Sequence, residues 1–474
     1  MSERRTSAAV ALVAAAVFVV LAVLWVPWDP VPGGALPAAD PSRYFTDAEI
    51  ARGEDFARWA RVWSWSSLAV SLVLLSLLGL TRAGRALVGR LPGPWWVQVP
   101  LAVAAVEVVV RLLTLPFAVL LRRHVLEFGL SNQAWGAFAV DLAKSEALDV
   151  AVTSLVVLVL VGCARRWPRA WPAVAGPSLA ALVVVGSLVY PLVVEPLFNS
   201  FTPLPEGPLR ARILDLADRE GVDVDDVLVA DASRRTTTLN AYVSGFGSTR
   251  RVVVYDNLVD DLGEDETVSV VAHELSHARH RDVLGGTTLG AAGAALGVGL
   301  LGLVLSRRRT GDAHDDGGVA HPGNVPRLLA LVAVAGLLAS PVQNGISRQV
   351  ETRADVDALR VTDDPDAFVA LQQQLARRSA ADLTPPAWSH WWFGSHPTTM
   401  ARIALAESRT AQSEVQPLPV ATASQVELKM SRMLSPKAKT MTTIRAAMPA
   451  IRRPYSTAEA PRSELLRAAS MMRR

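Results

Sequence analysis

Long uncharged runs, broken by short charged loops, set the plan of this chain. A helix needs about 20 apolar residues to cross the hydrocarbon core of a bilayer. Seven runs approach that length: residues 8–26, 62–80, 99–121, 150–161, 174–194, 285–305 and 328–342. The fourth is short and must borrow flanking residues, and Pro341 interrupts the seventh. The first follows Arg4 and Arg5 and reads either as a cleaved signal peptide or as a retained anchor. Its length and the presence of six later spans favour the anchor. In the third run Glu107 and Arg111 are spaced i, i+4 on one helix face, where they can neutralise each other inside a bundle.

Between the fifth and sixth runs the pattern changes. PLRARILDLADREGV repeats like an amphipathic helix, DVLVAD and RRVVVYDNLV read as short β-branched strands, and LNAYVSGFGSTR, with Gly245 and Gly247, reads as a strand entering a hairpin. A helix opens near Glu264 and runs through HELSHARHRD, and another, about residues 348–361, comes after the seventh run. The expected organisation is therefore five spans over 1–196, the first part of a catalytic unit over 197–284, two spans over 285–342 and the second part of that unit over 343–409. Residues 410–474 hold three of the four lysines and six of the eight methionines. With their Pro, Ser and Thr content they read as a basic, disordered tail.

Composition agrees with the runs. Hydrophobic residues make up 51% and charged residues 19%, and the mean hydropathy is +0.28, too apolar for an ordinary soluble protein. The single cysteine, Cys163, excludes a disulfide framework and a cysteine-based zinc site, so a metal here would be held by histidine and carboxylate. The net charge is only +3 and the arginines are scattered, so nucleic acid is not an expected partner. The expected partners are a peptide or protein substrate and the lipid bilayer.

HELSH carries the chemistry. On a helix, residues i and i+4 share a face, so His273 and His277 can direct imidazole nitrogens at one ion. Glu274 stands beside that ion, where it can act as the general base of a metalloprotease. An exposed amphipathic helix would show similar spacing, and the supply of a third ligand decides between the two. A catalytic zinc takes three protein ligands and keeps one position open. After the seventh run, SRQVETRADVDAL offers Glu351 as third ligand and Asp355, four residues on, as a carboxylate that fixes a ligand histidine's tautomer. His280 reads as a solvated neighbour, and His314 and His321 fall in a polar loop. His396, before Pro397 at a helix start, is either a structural histidine or a donor to a tetrahedral oxyanion, and spacing leaves both open. The fold class expected is mainly α: a polytopic seven-helix membrane protein with an α+β zincin-like catalytic domain split by the last two spans.

These passages resemble the type I CAAX prenyl endopeptidase family of seven-span zinc peptidases. LEFGLSNQAWGAFAVDLAKS, YPLVVEPLFNSFTPLPEGPL, SRRTTTLNAYVSGFGSTRRVVVYDNLV, SRQVETRADVDAL and SHPTTMARIA carry the resemblance beyond HELSH, over about residues 120–405. HtpX-type membrane proteases share the zinc motifs, but FTPLPEGPL and the span count favour the prenyl endopeptidases. The resemblance implies one zinc ion bound by His273, His277 and Glu351, with Glu274 as general base and Asp355 behind the metal. It further implies that His396 stabilises the oxyanion, that Asn240, Ala241 and Tyr242 form an edge strand aligning an extended peptide, and that the spans enclose an intramembrane chamber. Ser276 departs from the family's usual glycine.

Family and composition leave the substrate open. The resemblance implies C-terminal prenylated peptides. An Arg-rich, Lys-poor body suggests a bacterial plasma membrane, where a broader quality-control protease is the alternative. A reading of another class, a non-enzymatic transporter or scaffold, conflicts with the intact ligand set. Arginines in short loops, among them Arg82, Arg85, Arg165 and Arg166 opposite the catalytic side, place the zinc domain outside the cytoplasm. Eukaryotic members of the family face the cytosol.

Overall fold

A computed structural model describes residues 2–245, 250–306 and 318–415. Gly247, His314 and residues 416–474 of the tail expected from 410 lie outside the described residues, while 410–415, expected as tail, are helical. In chain order the helices are α1 (Glu3–Trp25), α2 (Asp47–Leu80), α3 (Arg82–Val88), α4 (Trp95–Glu127), α5 (Trp135–Arg166), α6 (Trp171–Val189), α7 (Glu195–Phe198), α8 (Pro208–Arg219), α9 (Asp256–Asp261) and α10 (Glu264–His280). They continue with α11 (Asp282–Ser306), α12 (Val325–Thr362), α13 (Pro365–Ser379), α14 (Ala387–Phe393) and α15 (Thr399–Val415). Among the described residues seven helical stretches are long and apolar enough to cross a membrane. They are α1, α2, α4, α5, α6 continued through a π turn into α7, α11 and α12. The fourth apolar run, short in sequence, sits inside a 32-residue helix.

Small residues let α1 lie against α11. A Cβ at Gly299 would come within 2.5 Å of the Ala11 backbone nitrogen, so the two helices touch backbone to backbone. The intramembrane pair expected between Glu107 and Arg111 is not formed. Arg111 instead reaches Glu146 of α5 at 2.5 Å, while the Glu107 side chain bonds Thr153. Partners on the facing helix tie α4 to α5, which a pair along one helix could not do.

Strands β1 (Phe201–Pro203), β2 (Asp226–Ala230), β3 (Ala241–Ser244) and β4 (Arg251–Tyr255) form one sheet in the order β1-β2-β4-β3. β2 and β4 run parallel, and β3 pairs antiparallel with β4, Ala241 opposite Val254. β3 is thus an edge strand. The sequence NLV expected to continue β4 is helical, in α9. One sheet face carries Val227, Ala241, Val252 and Val254 into a core with Ile213 and Leu216 of α8, Val271 and Leu275 of α10, and Phe368 and Leu371 of α13. That core seats the HELSH helix under the sheet.

The seventh span and the helix expected at 348–361 are one 38-residue helix, α12, which Pro341 does not break. Proline at that position has no N–H to give the Leu337 carbonyl, four residues back. The indole Nε1 of Trp392 donates to that carbonyl at 3.2 Å instead. A side chain from α14 thereby meets the hydrogen-bonding need that Pro341 creates inside the span.

Candidate metal centre

α10 brings His273, Glu274 and His277 together. Glu264, Asp265 and Glu266 in its first turn and Arg279 in its last complement the helix dipole. The two ligand-type imidazoles lie with ring centroids 4.8 Å apart. His273 Nδ1 donates to Asp355 Oδ1 at 2.9 Å, and His277 Nδ1 donates to Asp282 Oδ2 at 2.8 Å. Donation from Nδ1 leaves each Nε2 as a bare lone pair, and the two Nε2 atoms are 3.2 Å apart. Glu351 of α12 closes the triangle, with Oε2 3.3 Å from His273 Nε2 and Oε1 3.7 Å from His277 Nε2.

Three electron-rich atoms this close repel unless a cation lies among them. Donors about 2.0–2.1 Å from a tetrahedral zinc ion are about 3.3 Å from one another, so nitrogen, nitrogen and carboxylate at these separations fit zinc. The electrostatics agree. Burial resists charging His273, yet the carboxylates of Asp355 and Glu351 outweigh it and push its pKa up to about 10. Without a metal a proton sits on Nε2 between His273 and Glu351, and a metal ion takes that proton's place to leave Nε2 as the ligand. The site favours positive charge at this point.

Two supports were not found by sequence reasoning. Asp282, at the first turn of α11, holds His277 and is itself paired with Arg353 of α12. Arg402 of α15 donates through Nε to Asp355 Oδ2 at 2.8 Å, answering a carboxylate that is 0% exposed. The HRD after HELSHAR and the MARI after SHPTT held these signals. Neither has metal-ligand spacing.

Glu274 lies in the cleft with no hydrogen bond to its carboxylate among the described residues, and burial pushes its pKa up while His273 and His277 pull it back. His396 Nδ1 bonds Glu351 Oε2 at 2.8 Å, and its side chain is 63% exposed. His280, read as a solvated neighbour, is exposed and bonds Asp357 at 2.8 Å rather than joining the metal cluster. Asp357 also accepts from Ser276 Oγ at 3.0 Å, so Ser276 ties α10 to α12. His321 accepts from the Gly323 N–H at 3.0 Å.

A cleft of ≈ 670 Å³ joins the parts. Ala241 and Tyr242 of β3, with Asn240 just before the strand, line one side, and Glu274, Glu351 and His396 line the other. A second cavity of ≈ 1340 Å³, lined by apolar residues such as Phe18, Leu289 and Val332, lies among the spans and shares Arg281, Asp282, Leu284 and Val350 with the cleft.

Known proteins give this arrangement a context. Residues 203–410 match the family model of peptidase family M48, and residues 52–200 match that of the CAAX prenyl protease N-terminal domain, five membrane helices. An uncharacterized metalloprotease, YhfN of Bacillus subtilis, is 26% identical over 388 residues, 80% of this chain and 90% of the relative. A CAAX prenyl protease 1 homolog of Oryza sativa is 30% identical over 330 residues, 66% of this chain and 73% of that protein. The crystal structure of S. mikatae Ste24p is similar in fold, with a TM-score of 0.69 at 18% identity, covering 86% of this chain and 99% of the other.

Proposed function

This chain belongs to peptidase family M48 and is a multi-pass membrane metalloprotease, and we propose that its metal is one zinc ion held by His273, His277 and Glu351. The observation that carries this reading is the convergence of two Nε2 lone pairs and the Glu351 carboxylate, while both Nδ1 atoms are committed to carboxylates.

Zinc bound there supplies Lewis acidity, which lowers the pKa of a water and polarises a scissile carbonyl. Asp355 and Asp282 hold the two imidazoles in the tautomer that leaves Nε2 free. An extended peptide adds to the free edge of β3 beside Asn240, Ala241 and Tyr242, which sets its register through backbone hydrogen bonds. Glu274, unpartnered and raised in pKa, takes the proton of the attacking water and passes it to the leaving amine. His396, with both ring nitrogens protonated, donates Nδ1–H to Glu351 and Nε2–H to the oxygen on which negative charge develops.

The substrate class we propose is a C-terminal peptide bearing a prenyl chain. Two features support it: the name of the rice relative, and the apolar cavity that shares residues with the cleft. The membrane we propose is a bacterial plasma membrane, on the Arg-rich composition and the Bacillus relative. The test is cleavage by the purified, zinc-loaded full chain of one peptide sequence with and without a farnesyl thioether. The expected kcat/KM is at least about 10-fold higher for the prenylated form, roughly what burial of two or three methylenes supplies. Equal rates support the broader protease instead.

A further inference from the structure

The residues of α12 that meet the segment 386–402 fall in one stripe. Leu337, Asn344, Arg348, Glu351 and Asp355 recur every three, four or seven residues and so share a helix face. Trp392 Nε1 donates to the Leu337 carbonyl at 3.2 Å. Asn344 Nδ2 donates to the Trp392 carbonyl at 2.6 Å. Arg348 Nη1 donates to the His390 carbonyl at 3.3 Å and also to the Gly394 carbonyl. His396 then meets Glu351, and Arg402 meets Asp355.

The ladder therefore runs unbroken from a carbonyl inside the seventh span to the metal centre, about 21 Å along the helix at about 1.5 Å per residue. His396 is two residues beyond the last rung that Arg348 holds. Among the described residues no carboxylate pairs with Arg348, so its donors are free for these two carbonyls. The turn leaves no slack at Gly394, where a Cβ would come within 2.7 Å of the His390 carbonyl oxygen.

We propose that α14 and the turn after it are a strap, clamped to α12 by Arg348, which positions His396 on Glu351. Arg348 is thus a positioning residue that acts through His396. The inference rests on the role given to His396 above.

The experiment is a double-mutant cycle in the purified, zinc-loaded full chain, reading kcat and KM on a quenched peptide together with zinc affinity by chelator competition. Arg348→Met should lower kcat about 10- to 100-fold, the usual effect of misplacing a catalytic group by about an ångström, with zinc affinity unchanged within about 3-fold. In a His396→Ala background the same substitution should cost less than about 3-fold, because the group it positions is gone. Arg348→Lys, with one point donor in place of a fork, should fall between. Should Arg348→Met not accumulate, Gly394→Ala displaces the strap with Arg348 intact and should show the same dependence on His396. Equal losses in both backgrounds, or a zinc affinity that falls with kcat, overturn the strap. Full activity of Arg348→Met beside an impaired His396→Ala overturns the strap alone, whereas full activity of His396→Ala removes the role of His396 itself.

Discussion

His277 and Asp282 stand five residues apart and are hydrogen-bonded at 2.8 Å across the joint between the HELSH helix and the next span. The joint works because Arg281 takes the left-handed conformation, with φ of 57°, and turns the chain within one residue. A histidine of the candidate metal centre and the start of a membrane-length helix are thereby directly linked. Asp282→Asn keeps the shape but removes the charge that fixes the imidazole and pairs with Arg353. Zinc affinity should fall about 10- to 100-fold, as measured by competition with a chromogenic chelator.

Trp392 and Pro341 form a pair of the opposite kind, in which one residue supplies what the other lacks. Trp392→Phe leaves the Leu337 carbonyl without a donor and should cost about 1–2 kcal/mol in thermal unfolding of the detergent-solubilised protein. In a Pro341→Ala background the restored N–H at position 341 serves that carbonyl. There the same substitution should cost clearly less.

Gly299 of α11 has the Ala11 backbone where its side chain would be. Gly299→Leu should force α1 and α11 apart and destabilise the bundle by about 1–3 kcal/mol or more, seen as a lower unfolding midpoint. Gly286→Leu on the same helix should change it little, because a Cβ there would meet nothing within 4 Å.

Spacing made part of this legible. Apolar length announces seven spans, and i, i+4 geometry alone brings His273 and His277 together and raises Glu351 and Asp355 as partners. Other parts depend on joints that no local pattern encodes. Asp282 reaches His277 only because Arg281 turns the helix end, and Arg402 reaches Asp355 only after α15 has packed on α12. Pro341 reads as an interruption until a tryptophan 51 residues later is seen to meet its carbonyl. The strand expected through NLV fails for a related reason: Asp256 stands in the first turn of α9, where a negative charge suits the helix N-terminus, and its carboxylate accepts from the N–H groups of Ser233 and Asn257.

In the proposed mechanism Glu274 moves the proton while His273, His277 and Glu351 hold the metal, so the two roles separate in one variant. Glu274→Gln keeps size and hydrogen-bonding shape and removes the base. The decisive measurement is peptide hydrolysis by the purified Glu274→Gln chain alongside its zinc content. The expected result is about one zinc per chain, as in the parent, and a kcat lower by about 10²- to 10⁴-fold. Undiminished hydrolysis at full zinc content would refute the assignment of Glu274 as the base.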